Sequence, residues 1–489
     1  MSREQLPFDV LLLILEVAPR RTMAKMTQTC YALRDGGARF LLGGGVSLAT
    51  GNSIISFVRF LRVDAVSRFQ YLRVLEIARG ELPPRTVDAL LWLILHPLLA
   101  LDSLTLREAD MMLTSTPSFL EPIHGVDRPL LLTALAGLTT LRHLTVDQCD
   151  QRACSLIRTI RSPLKTISID FISIPDREEV ENWNPIVLLT NHSKTLEEIS
   201  GSNFAMRRRD HEWPVVYDVA YRLVRTINAT YDIIHYPRTV EYLAAFPNLT
   251  HLSLTAAAAD SSGWRVNTFC PVHFSLALRR RSWNKNHQET QTPRLTWRNL
   301  EEVEGNVTDI LALGLACHVP KLRLLGTILL KSLEYEHLAT VLEDTRPASL
   351  AITVSDASTF VDRMGNVLKD PSAQQLRALE VELVFGPSEG DMDIQTVLND
   401  VATTLALLPL HHLTLTINYG LLTAPDESHR PRYGWSCPVE RDVEGLDLVE
   451  TRTLFRAAIP SLATDVVVHL STDRTGYEAR LNSVAEWGV

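Results

Sequence analysis

Side chains that could bind a metal ion are sparse and poorly spaced in this sequence. Cys270 and His273, in the stretch CPVH, have the spacing of two zinc ligands. A structural zinc site needs four ligands and no second pair follows, so we interpret the stretch as a loop. Asp391 and Asp393, in GDMDIQ, lack the glycine and the distal glutamate of a calcium-binding loop and are better explained as a helix N-cap. The sequence therefore predicts no metal ion and no other cofactor.

Motifs for catalysis are also missing. The sequence contains no P-loop pattern (G-x-x-x-x-G-K-[ST]), no dinucleotide pattern (G-x-G-x-x-G) and no zinc-protease pattern (H-E-x-x-H). The glycine run Gly43 to Gly45 lacks the lysine that a phosphate-binding loop requires, so we interpret it as a linker. Because these constellations are missing, the chain is predicted not to be an enzyme.

The composition is typical of an ordered protein from a reducing compartment. Of the 489 residues, 46% are hydrophobic and 21% are charged. The net charge of −9 disfavours general binding to nucleic acid or to anionic membranes, because such binding depends on basic side chains. The six cysteines have no repeating spacing and are expected to be thiols, as in a protein of the cytoplasm, the nucleus or both.

Two local basic clusters stand out against the negative net charge. They are Arg207 to Arg209, in MRRRDH, and Arg279 to Lys285, in LRRRSWNK. Either could be a nuclear-import or nucleic-acid patch, but runs this short are also typical of a solvated insertion loop, which we favour. Neither nucleic acid nor a membrane is therefore expected among the partners.

A short leucine pattern recurs along the chain and indicates how it folds. Its second and third apolar positions alternate with the period of a β-strand, and helix-like segments, several of them closed by proline, lie between the copies. One unit cannot bury its own apolar face, whereas stacked units can. The pattern predicts an α/β fold, an irregular leucine-rich-repeat solenoid with a parallel sheet inside and helices outside; the alternative is chance spacing in a leucine-rich chain. Segments with the spacing L-x-x-[LI]-x-[LIV] begin at Leu72, Leu101, Leu141, Leu164, Leu249, Leu376 and Leu410.

The pattern divides the chain into successive parts. Residues 1–42 are expected to form a helical domain, residues 43–69 a linker and a first helix, and residues 70–489 the solenoid. The polar stretch 256–294 is expected to leave the solenoid as an insertion loop.

The N-terminal domain begins with the apolar block LPFDVLLLILEV. The block is too short for a membrane span, which needs about 20 apolar residues, and it lacks the features of a signal peptide. It is predicted to be an amphipathic helix that ends before Pro19. A second helical pattern through Met23 and Leu33 is predicted to close at Gly36 and Gly37. Helices this short cannot form a sufficient core, so they need a partner or a neighbouring domain to cover them.

These N-terminal residues resemble an F-box. The resemblance rests on the pair Leu6 and Pro7, the acidic Asp9, the apolar helix, and the stretch TCYAL, in which Cys30 and Leu33 match the family pattern. An F-box followed by leucine-rich repeats implies a substrate-receptor subunit of an SCF-type ubiquitin ligase. Such a subunit binds a Skp1-like adaptor, and through it a cullin, with its F-box, and a target protein with its repeats. The alternative is a leucine-rich-repeat interaction scaffold without a ligase role.

The resemblance also implies which residues bind the adaptor. The exposed apolar face of the first helix would dock on it; in the alternative, this face packs against the first repeat as a cap. The implied adaptor-binding residues are Leu6, Pro7, Leu11, Ile14, Leu15, Met23, Met26, Cys30 and Leu33.

A second candidate surface follows from the repeats. The x positions of each strand are expected on the concave face, where a solenoid binds its partners. Their charge changes from basic to acidic along the sheet, which predicts a basic partner segment for the later repeats; the alternative is that these side chains only solubilise the sheet. The charged x positions taken as the target-binding face are Arg142, His143, Lys165, Glu301, Glu302, Glu304 and Glu380.

Overall fold

Helices and parallel strands alternate along the chain, which confirms the expected α/β class. The chain forms two compact units, Met1–Ala205 with Tyr221–Val224, and Met206–Ala220 with Arg225–Val489. The division falls inside the stretch expected as one solenoid. The structure, a computed structural model, describes residues 7–114, 131–172, 183–206, 217–232, 236–257, 271–290, 296–329, 334–355, 357, 360–386, 389–420, 422, 438–462 and 465–472.

The first unit opens with three helices and continues with strands that each pair in parallel with the next strand along the chain. Pro19 separates the first two helices, as expected. In chain order the elements are α1 (Phe8–Val17), α2 (Arg20–Met26), α3 (Tyr31–Gly43), β1 (Val46–Leu48), α4 (Gly51–Val63), α5 (Ala65–Phe69), β2 (Val74–Ile77), α6 (Pro84–Ile94), β3 (Ser103–Leu106), α7 (Ala109–Thr114), α8 (Leu131–Ala136), β4 (His143–Cys149), α9 (Gln151–Thr159), β5 (Thr166–Phe171), α10 (Pro185–Leu188) and β6 (Glu198–Phe204).

The second unit repeats the same alternation, again with parallel pairing between consecutive strands. Its elements are β7 (Thr226–Asp232), α11 (Thr239–Ala245), β8 (His251–Ala257), α12 (Pro271–Thr290), β9 (Glu302–Gly305), α13 (Val307–Leu313), β10 (Lys321–Leu329), α14 (Glu334–Thr345), β11 (Ser349–Ser355), α15 (Phe360–Leu368), β12 (Ala378–Val384), α16 (Ile394–Leu405), β13 (His412–Asn418), α17 (Pro438–Glu444), α18 (Leu448–Ala458) and β14 (Asp465–Ser471).

The leucines of the sequence pattern form the core of both units. Leu144 of β4, for example, is aligned with Leu104 of β3 and Ile167 of β5, and all three are buried. The first leucine of each copy, such as Leu141, is buried as well. Each such side chain contributes roughly 1.5–3 kcal/mol by leaving water, so the stacking of neighbouring strands stabilises the fold where a single strand could not.

A repeated turn fixes the strand register. The carbonyl oxygen of Asp102, just before β3, accepts hydrogen bonds from the N–H groups of Arg142 and His143 at 2.8 and 3.0 Å. Arg142 repeats this with Lys165 and Thr166 at 2.7 and 3.1 Å, and the same arrangement recurs in the second unit. Because both backbone N–H donors of each such turn are hydrogen-bonded, consecutive strands begin in the same register and their buried side chains stay aligned.

Several elements differ from the sequence-based expectations. Gly43 to Gly45, expected as a linker, ends α3 and leads at once into strand β1, so strand pairing begins within residues 43–69. The stretch 256–294, expected as an insertion loop, contains the 20-residue helix α12. Asp393 does cap a helix as expected, because its carboxylate accepts the Gln395 N–H at 3.1 Å at the start of α16.

A buried carboxyl group with a raised pKa lies in the core of the second unit. Asp309, on α13, is 2% exposed. Its Oδ1 accepts a hydrogen bond from the Tyr231 hydroxyl at 2.8 Å, and its Oδ2 accepts from the Ala256 N–H at 2.9 Å. The Asn306 side-chain amide also donates to Oδ2 at 3.1 Å. Burial raises the pKa of Asp309 to about 6, although these hydrogen bonds favour the charged form.

This carboxyl should make the second unit less stable as the pH rises. The pKa of Asp309 is about 6 in the folded chain and 3.8 in the unfolded chain. The contribution of this group to the unfolding free energy is therefore fully present below pH 3.8 and is lost as the pH rises through about 6. Between about pH 4.5 and pH 7 the unfolding free energy should fall by about 2 kcal/mol from this group. Asp309→Asn keeps the shape but cannot ionise, and urea titrations at both pH values should show a smaller decrease. An equal decrease in the variant and the wild type would contradict the assignment.

Candidate protein-interaction surfaces

Helices α1, α2 and α3 share a small apolar core. Leu15, Met23 and Leu33, one from each helix, are buried together. Because these helices bury side chains against one another, they form a structured module rather than separate segments. The half-buried side chains packed against this core are Leu11, Leu12, Met26, Phe40 and Leu41.

Two glycines let α3 lie close to the other two helices. A Cβ atom on Gly36 would stand 2.8 Å from Leu12 Cδ2 of α1, and one on Gly37 would stand 2.5 Å from Thr27 Cγ2. The prediction that this glycine pair closes a helix is wrong, because α3 continues through it to Gly43. The missing side chains serve close packing and not helix termination.

The opposite side of α1 carries a second apolar stripe. Val10, Leu13, Ile14 and Val17 recur at the spacing of one helix face. Their side chains are 37%, 62%, 39% and 82% exposed. Helix α1 is therefore apolar on its inner and its outer side, and the outer side is the kind of exposed surface that marks an interaction site.

The predicted adaptor-binding residues divide between these two sides of the module. Leu6 lies outside the described residues. Leu13 and Val17, the most exposed residues of the stripe, are absent from the predicted set, because an unbroken apolar run does not reveal which residues face outward. Of the predicted residues, Leu15, Met23 and Leu33 are buried, Leu11 and Met26 are half-buried, and Pro7, Ile14 and Cys30 are exposed.

Cys30 has a local structural role. Its Sγ accepts a hydrogen bond from the Leu33 N–H at 3.5 Å and so caps the start of α3. This contact satisfies one of the free N–H groups at the beginning of the helix. The spacing between Cys30 and Leu33 in TCYAL thus corresponds to a helix cap followed by a core residue.

The predicted basic residues lie on neighbouring strands of the first unit. Lys165 Nζ is 2.6 Å from Glu197 Oε1, and His143 Nδ1 is 2.7 Å from Thr166 Oγ1. Arg142 is exposed just before β4. These are solvent-exposed cross-strand contacts, each worth at most about 1 kcal/mol, so they leave the side chains available to a partner.

The predicted acidic residues of the second unit lie opposite basic ones. The parallel register places Lys321 of β10 opposite Glu302 of β9, and Arg323 opposite Glu304. On the other side, His251 Nε2 is 3.9 Å from a carboxylate oxygen of Glu302. Neighbouring strands are about 4.8 Å apart, so opposite charges at aligned positions compensate one another. This part of the sheet therefore has mixed charge and not a single acidic sign.

Glu380 and Glu301 lie apart from these aligned pairs. Glu380, on β12, has an oxygen 3.9 Å from Arg323 Nη2 across the intervening strand β11. Glu301, just before β9, lines a groove together with Arg225 and Arg346. The predicted acidic residues thus do not form one continuous cluster.

An ionic cluster that the sequence analysis missed lies on the first unit. Arg107, just after β3, has its Nε 3.1 Å from Glu76 Oε1 and also pairs with Asp147 of β4. The hydrogen bond that Arg107 donates lowers the pKa of Glu76. Glu76 and Asp147 alternate with buried residues along their strands. This alternation is the feature of the sequence that could have identified them as outward-facing.

Metal binding finds no support in the described part of the chain. No group of three or more His, Cys, Asp and Glu side chains there could hold a metal ion. Cys270 and the side chain of His273, the pair in CPVH, lie outside the described residues.

Only one of the two basic clusters lies within the described residues. Arg207 to Arg209 lie outside the described residues. Arg279 to Lys285 lie on helix α12 and not in a loop. Arg281 and Lys285 both bind the buried carboxylate of Asp344 on α14, so part of this cluster serves the fold.

One pattern typical of a serine nucleophile is present in the sequence, so catalytic motifs are not entirely missing. GPSEG, residues 386–390, has the spacing G-x-S-x-G. It follows β12, but α16 begins only at Ile394, whereas a nucleophile elbow passes from the strand through the serine into the helix. The Glu389 carboxylate instead turns back to accept the Gly386 N–H at 3.0 Å. Ser388 lies outside the described residues.

Comparison with known proteins gives no family assignment. No protein-family model matches the chain, and no curated protein matches it either. Within the described residues, no helix has both the length and the apolar character needed to cross a bilayer. The chain's own surfaces are therefore the basis for inferring its function.

Proposed function

We propose that this chain is the substrate-receptor subunit of an SCF-type ubiquitin ligase. In this proposal the N-terminal helices α1–α3 are an F-box that binds a Skp1-like adaptor and, through it, a cullin. The strands and helices that follow are leucine-rich repeats that bind the target protein. The chain performs no covalent chemistry in this role, because its task is to bring the target to the ligase.

The outer stripe of α1 is the observation that carries the proposal. The inner side of α1 already supplies Leu15 to the core of the module, so the outer aliphatic residues are not needed for its packing. Leu13 and Val17 are nevertheless more than half exposed. A helix face of this kind suits docking into an apolar groove of a partner, where each buried side chain contributes roughly 1.5–3 kcal/mol before the cost of association.

The exposure of the stripe also favours docking over the capping alternative. A helix that capped the first repeat would bury its outer face against the strands and helices that follow it. In the first unit, α3 is the helix that leads into β1, and the Arg20 side chain of α2 donates to the Leu41 carbonyl oxygen of α3 at 3.3 Å. Helix α1 keeps its stripe in solvent.

The repeat interpretation is supported by regularities that recur from strand to strand. Leucines at equivalent positions are aligned and buried, and the turns before β3 to β6, β8, β9 and β11 to β13 use the same pair of hydrogen bonds. Helices separate most of the strands, which is the order expected for stacked leucine-rich repeats. Outward positions of the strands remain available to a target protein.

Reconstitution with purified proteins tests the proposal. The full chain should form a complex with a Skp1-like adaptor, and should recruit a cullin only when that adaptor is present. Size-exclusion chromatography of the mixtures measures both steps. If the folded chain elutes apart from the adaptor, the ligase role is excluded and the interaction-scaffold alternative takes its place.

A further inference from the structure

A polar groove of about 700 Å³ lies where strands of the second unit begin. Arg225 precedes β7, Arg298 precedes β9 and Arg346 precedes β11, so the fold brings three arginines from distant parts of the sequence to its walls. Glu301 and His318 also line the groove. None of the three arginines belongs to a basic run in the sequence, which is why the sequence analysis did not identify them.

The three arginines carry uncompensated charge. None of them forms an ion pair within the described part of the chain. Arg225 Nη1 donates to the Asn248 carbonyl oxygen at 2.8 Å, which fixes this guanidinium without neutralising it. Burial raises the pKa of Cys317, which also lines the groove, to about 11, so its thiol adds no negative charge at neutral pH. Even with the Glu301 carboxylate in the same lining, three arginines leave the groove with a net positive charge in a chain of net charge −9, which points to an anionic ligand.

The backbone at Arg346 is a second, independent observation. Arg346 has φ 47°, in the left-handed region, directly after α14 ends at Thr345. Glycine is the usual residue at such a helix end, because it adopts this conformation without the cost that a side chain brings. The chain instead places a long cationic side chain there, next to the groove.

We propose that this groove binds the anionic side chains of a peptide segment, either carboxylates or phosphate esters. Guanidinium groups match both anions, because their planar fork of N–H donors can bind two oxygens at once. The inference rests on the proposed function in one respect, namely that the peptide belongs to a target protein. The peptide proposed here is negatively charged, whereas the acidic strand residues predicted a basic partner segment from sequence.

A peptide suits the groove better than nucleic acid does. Binding of single-stranded nucleic acid uses exposed aromatic side chains on which bases stack. Trp297, the aromatic residue of the groove, is 2% exposed, and its Nε1 donates to the Phe246 carbonyl oxygen at 2.9 Å.

Fluorescence anisotropy with the full chain tests the groove. The probes are labelled peptides of alternating Glu and Ser, of alternating phosphoserine and Ser, and of alternating Gln and Ser, together with a single-stranded RNA. The test variant combines Arg298→Gln with Arg346→Asn, since asparagine tolerates positive φ. The control combines Arg279→Gln with Lys369→Gln, which removes the same charge from exposed positions of the same unit that do not line the groove.

At least one of the two anionic peptides should bind the wild type, and the Gln–Ser peptide should not. Loss of two charge-assisted contacts should weaken that binding by about tenfold or more in the test variant, whereas the control should stay within about twofold. The preferred anionic peptide then identifies carboxylate or phosphate as the bound group. Equal binding by the test variant and the wild type, no binding of either anionic peptide, or tighter binding of the RNA would each overturn the proposal.

The result is independent of adaptor binding. The anisotropy measurement needs no adaptor or cullin, so failure to capture the adaptor would remove the ligase role and leave the groove intact. Conversely, if the chain captures the adaptor but binds neither anionic peptide, the proposed function stands and the proposed ligand of the groove is excluded. Thermal unfolding of both double variants should match the wild type, because the substituted side chains are exposed.

Discussion

Replacing Leu13 with glutamate and Val17 with lysine should abolish capture of the Skp1-like adaptor without unfolding the chain. Both side chains are more than half exposed, so the substitutions remove little internal packing. The new residues are good helix formers spaced four apart, with glutamate on the N-terminal side, which supports a helix by about 0.2–0.5 kcal/mol. In a docked complex, however, both charges would enter an apolar contact without partners. The cost of several kcal/mol per unpaired charge corresponds to on the order of a hundredfold loss of affinity or more.

A matched control lies elsewhere on the same unit. Val63 of α4 and Val66 of α5 are 68% and 76% exposed, and Val63→Glu with Val66→Lys introduces the same two charged residues in place of exposed aliphatic ones. Adaptor affinity, measured by calorimetry with the full chain, should be unaffected in this control. Capture that survives the α1 double variant at wild-type strength would show that the stripe is not the docking surface.

Replacing Asp344 with alanine should destabilise the second unit by about 3 kcal/mol, because removal of this buried carboxylate leaves two half-buried cations unpaired. The Asp344 side chain is 4% exposed and binds two cations at once. Arg281 of α12 contacts it through Nε at 2.6 Å and Nη2 at 2.8 Å, and Lys285 Nζ contacts it at 2.6 Å. The hydrogen bond with Asp344 raises the pKa of Arg281. Without Asp344 the guanidinium still stays charged at neutral pH, because an arginine side chain is not deprotonated in proteins, so its charge is left unpaired.

Urea unfolding of the full chain, followed by hydrogen exchange of helix α12, measures the effect. Protection of α12 should decrease first, because Asp344 joins this helix to α14. The comparison variant is Glu380→Ala, whose contact with Arg323 is solvent-exposed and 3.9 Å long. Its effect should stay below about 1 kcal/mol. If the two variants were equally stable, the buried cluster would have no role in holding α12.

The strands could be predicted because the leucine pattern is local. In the copies that begin at Leu101 and Leu141, the spacing of apolar residues alone identifies which positions face the core, and those residues are buried. A strand's period depends on neighbouring residues of the chain, so a short stretch is enough to reveal it. Strands β1 and β7 lack a clear copy of the pattern, and their pairing with β2 and β8 identifies them.

Helix α12 shows where local patterns fail. It is predominantly polar, so its sequence gives no apolar stripe. Its position depends on contacts with distant residues, such as Asn284, whose Oδ1 accepts the Thr239 N–H at 3.0 Å and whose Nδ2 donates to the Ala312 carbonyl oxygen at 2.8 Å. These hydrogen bonds exist only once the surrounding strands and helices have come together, because a buried polar side chain is stable only with its partners in place.

The sequence by itself determined the α/β class, the strand period and the apolar character of the first helix. The tertiary structure decided which side of that helix faces inward, placing Leu15 in the core and leaving Leu13 in solvent. It also decided which charges compensate one another, because Glu302 and Lys321 become neighbours only through the strand register. The physical reason is that the periods of helices and strands arise between residues close in sequence, whereas burial and charge pairing depend on residues that folding brings together.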